Sequence, residues 1–118
     1  MAERADPQSF PVASGEQVSL PITVRDNAKA QVDLSGGSVV FQMARRPTGT
    51  PVIDSTASPA TATAVLTDAT NGLITVTITD EDTEILIGDY YYECKFTDSS
   101  GREAVVAWGW ISFAQNLI

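Results

Sequence analysis

Apolar and polar side chains alternate with period two along most of this chain. That period belongs to strands with one buried face. The pattern is clearest at residues 87–97, IGDYYYECKFT, where Tyr90, Tyr92, Cys94 and Phe96 share one face while Tyr91, Glu93 and Lys95 share the other. In QVSLPITVRD, Val18, Leu20, Ile22 and Val24 alternate with Gln17, Ser19, Pro21, Thr23 and Arg25. Proline cannot donate to a ladder, so Pro21 predicts an edge strand or a bulge there. Residues 38–45 align Val39, Phe41 and Met43, and residues 73–79 set Ile74, Val76 and Ile78 against Thr75, Thr77 and Thr79. Residues 61–66 form a weaker Thr/Ala/Val strand, and residues 102–113 the closing one. The stretch 46–60 holds three prolines and supports only a short strand near 52–55.

Turn chemistry joins these strands. Asn71-Gly72 separates two alternating runs, a strong hairpin signal because both residues tolerate positive φ. VDLSGG, from Val32, and DSSG, from Asp98, read as further turns. The acidic stretch at 80–87 suits a single helical turn crossing between sheets, with Asp80 as its cap. About seven strands with frequent turns and no long helical pattern describe an all-β antiparallel sandwich. No gap between strands is long enough for the crossover helix of a parallel α/β sheet. The predicted core is Val18, Leu20, Ile22, Val39, Phe41, Met43, Ile74, Val76, Ile78, Tyr92, Cys94 and Phe96.

At 118 residues the chain is one domain, able to bury roughly two thirds of its unfolded surface. The sandwich is placed at 13–113, with an extended N-terminal arm at 1–12 and a C-terminal tail at 114–118. A 43% hydrophobic fraction with 19% charged residues excludes wholesale disorder. No apolar run approaches the roughly 20 residues that span a bilayer, and MAERADPQSF has no hydrophobic signal core, so neither a membrane nor secretion by that route is expected. A net charge of −8 and seven basic residues, with Arg45-Arg46 their one adjacent pair, argue against a nucleic-acid partner.

Candidate chemistry is sparse. The chain has no histidine, which removes the commonest general base, the serine and cysteine triads and most zinc sites. Cys94 has no partner for an internal disulfide, and on a core face it reads as a small buried hydrophobe. Gly36-Gly37 precede a strand, whereas phosphate-cradling glycines precede a helix. Asp80, Glu81, Asp82 and Glu84 are the one acidic run, and they lack the glycine-bearing loop of a calcium site. No catalytic residue, metal or cofactor is expected.

Several segments resemble a known family. Tyr92 two residues before Cys94, entered from a helical turn, resembles strand F of immunoglobulin-like sandwiches with their tyrosine corner. SGEQVSLPITVRD, VDLSGGSVVFQMARR and NGLITVTITDEDTEILIGDYYYECKFTDSSGR follow the order of an immunoglobulin-like domain of tailed-bacteriophage structural proteins. The chain is similar in this to the N-terminal domain of phage baseplate upper proteins, over residues 14–113. Ser35 stands where that family usually has Thr. The resemblance implies a non-enzymatic virion protein, made in the host cytoplasm and working as a tail, baseplate or neck adaptor. Capsid decoration is the alternative within that class. A carbohydrate-binding module stacking sugars on Tyr91 and a Trp is the alternative outside it.

The closing strand carries the most functional information. In EAVVAWGWISF, Val106, Trp108 and Trp110 alternate with Val105, Ala107, Ile111 and Phe113, leaving both faces apolar. Trp is enriched in interface cores, and an apolar face without a covering layer marks a partner site. The tail AQNLI ends in Leu117 and Ile118. The candidate interface is therefore Val106, Trp108, Trp110, Phe113, Leu117 and Ile118, facing other virion proteins or further copies of this chain in a symmetric oligomer.

Overall fold

The computed structural model describes residues 10–13, 17–26, 28–57, 60–83 and 86–114. Eight strands occur among them: β1 (Phe10–Ala13), β2 (Val18–Thr23), β3 (Ser38–Ala44), β4 (Ile53–Asp54), β5 (Thr63–Asp68), β6 (Leu73–Ile78), β7 (Gly88–Thr97) and β8 (Glu103–Ala114). They build a five-stranded sheet in the order β1-β8-β7-β3-β4 and a three-stranded sheet in the order β2-β6-β5. The neighbours β3, β7 and β8 correspond to the C, F and G strands of an immunoglobulin domain, and β2, β6 and β5 to its B, E and D strands. The fold is an immunoglobulin-like β-sandwich.

The core follows the alternation. Val18, Leu20, Ile22 and Val24 enter it from β2 and its end, Ile74, Val76 and Ile78 from β6, and Phe41 and Met43 from β3. Tyr90, Tyr92 and Cys94 enter from β7, and Ala107, Ile111 and Phe113 from β8. Val39 and Phe96, cross-strand partners at one end of the sheet, are only partly buried. Leu34 and Leu86 come from loops and are buried all the same.

Tyr92 sits at the centre. It is fully buried, stacked on Phe41 with centroids 5.7 Å apart and tilted against Phe10 at 6.2 Å. Such pairs contribute about 0.5–1.5 kcal/mol each beyond their burial. Phe10 belongs to β1, which pairs in parallel with β8. The N-terminal arm expected at 1–12 is corrected there: Phe10 and Val12 pack on the core and Pro11 faces outward. Two nearby prolines and a partner at the far end of the chain hid this strand. Residues 1–9, and with them most of the arm, lie outside the described residues.

The helical turn is also shorter than expected, Asp80–Thr83. Its capping position falls one residue earlier than assigned. Thr79 accepts through its carbonyl from the Asp82 and Thr83 amides, and its hydroxyl donates to Asp82 Oδ2 at 3.0 Å. The β5–β6 connection is a 3-10 turn, Ala69–Asn71, closed by Gly72 at φ 72°. It closes the β5–β6 hairpin that Asn71-Gly72 signals, with Gly72 alone of the two at positive φ.

Gly72 and Gly101 make a direct test of this packing. Both have positive φ, where a side chain costs about 1–2 kcal/mol. A Cβ on Gly101 meets nothing within 4 Å, whereas one on Gly72 falls 2.6 Å from the Val32 carbonyl and 2.8 Å from that of Val24. Gly101→Ala should therefore lose only the backbone term in denaturant unfolding, and Gly72→Ala clearly more. Equal losses would show that the Gly72 turn relaxes freely.

Candidate functional site

The outer face of the five-stranded sheet carries the aromatic side chains that the core does not absorb. In β8, Ala107, Gly109, Ile111 and Phe113 point inward, so Trp108 and Trp110 point outward by alternation. Their partners on β7 are Glu93 and Tyr91 respectively. Tyr91 sits between the two indoles, 6.2 Å from the Trp108 ring and 5.6 Å from Trp110 in an edge-on arrangement. It is only 4% exposed, while Trp110 is 37% exposed. The Tyr91 hydroxyl donates to Glu93 Oε2 at 2.6 Å.

A groove continues from this cluster across β7 and β3. One depression, about 50 Å³, lies beneath the loop 46–51 and reaches Tyr91. A second, about 230 Å³, opens over Val40, Lys95 and Glu103. Gln42 and Glu93 line both. Gln42 is fixed by donating to Asp54 Oδ2 at 3.0 Å. Partial burial raises the Asp54 carboxyl's proton affinity, but hydrogen bonds from Thr56 and Gln42 outweigh this and hold it below its ordinary value. Lys95 lies 3.5 Å from Glu103 across the β7–β8 pair. The two side chains are about half exposed, which makes this a weak surface pair. A partner surface would therefore meet an indole and a polar strip.

Of the residues that the sequence assigns to the interface, Trp108 and Trp110 lie on this face. Val106 does not join them. The ladder shifts register between Cys94 and Lys95, which pair with Ala107 and Val105, and Val106 is the extra residue of that bulge. It packs against the core. Phe113 is also a core residue, 3% exposed and edge-on to Tyr90 at 5.6 Å. Leu117 and Ile118 lie outside the described residues.

Tyr91, read as a sugar-stacking platform, is covered by the indoles and offers no open ring face. The alternation does put Tyr91, Glu93 and Lys95 on one face, but their partners Gln42 and Trp108 depend on strand pairing, which sequence spacing does not encode. Among the described residues no three acidic or thiol side chains converge to hold a metal ion, and none of the helices is long and apolar enough to cross a membrane.

Comparisons with known proteins show the fold. No family model matches the chain, and no curated protein matches it in sequence. Among solved structures, the N-terminal Ig1-2 module of the Drosophila receptor protein tyrosine phosphatase DLAR superposes with a TM-score of 0.54 at 18% identity. The match covers 96% of this chain and 48% of that one, so this chain spans about half of the two-domain module. CopC from Methylosinus trichosporium OB3b, at 16% identity over 97% of this chain and 91% of that one, reaches a TM-score of 0.48. The Lin-41 filamin domain reaches 0.41 at 12% identity over 87% and 81% of the two chains. At these identities the likeness extends to architecture alone.

The site is built on a strand whose inner face holds two suppressed acids. Burial pushes the Cys94 thiol from 9.0 up to about 12. The Tyr92 hydroxyl is pushed above its ordinary 10.0, mainly by burial, with smaller contributions from Cys94 and Tyr91. The unfolded chain releases both protons near their ordinary values while the native state keeps them. Folding stability is thus full below about pH 9 and falls as pH rises toward 12. Cys94→Ala should reduce that slope by up to about 1.4 kcal/mol per pH unit, measured by denaturant unfolding between pH 8 and pH 11. An unchanged slope would mean the thiol ionises in the native state.

Proposed function

We propose that this chain is a non-enzymatic structural protein of a tailed-phage particle, an immunoglobulin-like adaptor at the tail, baseplate or neck. In this reading it binds a neighbouring virion protein through the outer face of its five-stranded sheet. The observation that carries the contact surface is the Trp108–Tyr91–Trp110 cluster, set on the paired strands β7 and β8 with a polar groove beside it. A partly exposed indole surrounded by hydrogen-bonding groups has the composition of an interface core with its rim. The order of turns and strands in the sequence supports the phage assignment. Capsid decoration is the second position on such a particle that would use the same face.

A glycan-binding reading draws on the same groove, since Trp110 and the Gln42–Glu93 strip combine a ring with hydrogen-bonding groups. The protein-contact reading is preferred because Tyr91 is covered and Trp110, the more open of the two indoles, is only 37% exposed.

Mass spectrometry of purified particles should detect the chain, and its absence would refute the assignment. Trp110→Ala should weaken incorporation by about 2 kcal/mol or more in binding terms. Thermal stability should fall as well, because Trp110 is only 37% exposed and helps to cover Tyr91. Circular dichroism therefore checks that the variant is folded before its incorporation is scored. Normal incorporation of this variant would place the contact elsewhere. Glycan-array binding lost on Trp110→Ala would favour the carbohydrate module.

A further inference from the structure

Two open sheets have four edges, and three of them are blunted. β1 is four residues long and contains Pro11, β2 contains Pro21, and β4 is two residues long. Proline and shortness are the usual protections against strand pairing between molecules. β5, the remaining edge, is TAVLTD, six residues with neither proline nor lysine.

Its backbone pairs with β6 on one side, and none of its residues hydrogen-bonds the main chain of another element among the described residues. Its inward side chains Ala64 and Leu66 are only half-buried, while the matching positions of β6 are fully buried. On the outward face Val65 is 54% exposed, the highest value for a large hydrophobic among the described residues. A register shift between Leu66 and Asp68 confines the regular ladder to 63–66.

We propose that β5 is a docking edge for a second copy of this chain, pairing antiparallel with its own counterpart about a two-fold axis at Val65. Directly opposed residues in an antiparallel pair share a face, so Val65 meets the partner's Val65, and Ala64 meets the partner's Leu66. This pairing buries the exposed valine, covers the half-buried edge of the core and satisfies the outward backbone groups. The pairing stretch carries no charge, and Asp68 lies outside it. A two-fold contact is self-complementary by construction, which an uncharged apolar strand permits even in a chain of net charge −8. Three central pairs make a small contact, so association is weak in dilute solution and strengthens where an assembly holds copies close together.

Analytical ultracentrifugation of the full chain, up to about 1 mM, tests this, and salt dependence identifies the occupant. The protein should show a reversible monomer–dimer equilibrium that tightens as salt rises, because two chains of charge −8 repel each other. Val65→Lys should weaken dimerisation about fivefold or more by opposing two like charges. Ser100→Lys, in the exposed β7–β8 turn, should not weaken it. Mixing Val65→Lys with Val65→Glu should restore association, since each charge then faces its opposite. Circular dichroism checks that the variants fold. A protein that stays monomeric throughout, an unaffected Val65→Lys dimer, or a mixture that fails to associate would each overturn the proposal.

Discussion

The structure depends on one strand that cannot turn over. β7 is hydrogen-bonded to β3 on one side and β8 on the other, and its two faces do different things. Inward it places Tyr90, Tyr92 and Cys94; outward it places Tyr91 and Glu93. A slip of one residue would exchange these sets and bury Glu93 and Lys95 in the core. The register that makes the core is therefore also the register that makes the aromatic cluster. Gly109, facing Tyr92 across the ladder, brings no side chain into that crowded layer.

Packing does here what a disulfide does in antibody domains. An inter-sheet bridge would join a cysteine on β7 to one on β2, but β2 supplies Val18, Leu20 and Ile22 instead. Phe41 pairs with Cys94 and stacks on Tyr92, on the strand where antibody domains carry their buried Trp. No buried side-chain oxygen or nitrogen among the described residues lacks a hydrogen-bond partner, so the Tyr92 hydroxyl is satisfied despite its depth. The thiol is held neutral by burial. Two sheets held by aliphatic and aromatic contacts in place of a bridge need all of that complementarity.

Much of this was legible before the structure. Alternation located β2, β3, β6, β7 and β8 and assigned the faces of the first four, because a half-buried strand must alternate. β8, apolar on both faces, was located without its inward face being assigned. Pro21 predicted an edge or a bulge for β2, and β2 lies at an edge. The failures have physical causes. β1 pairs with a strand about a hundred residues away and is only four residues long, so no local pattern announces it. Val106 and Phe113 were grouped with the outer tryptophans, but a bulge breaks the period at Val106 and Phe113 is needed inside. The groove joining Gln42 to Glu93 arises from pairing between β3 and β7, a long-range contact no spacing records.

The outer face is where fold and proposed role meet, since sequence alternation drives two indoles onto a sheet whose core is already full. Oxidative footprinting of Trp110 in the free protein and in purified particles tests that reading most directly. Trp110 should label readily in the free chain and be strongly protected in the particle, with Val65 and the β5 edge measured in the same experiment as a separate surface. Equal labelling of Trp110 in both states would contradict it.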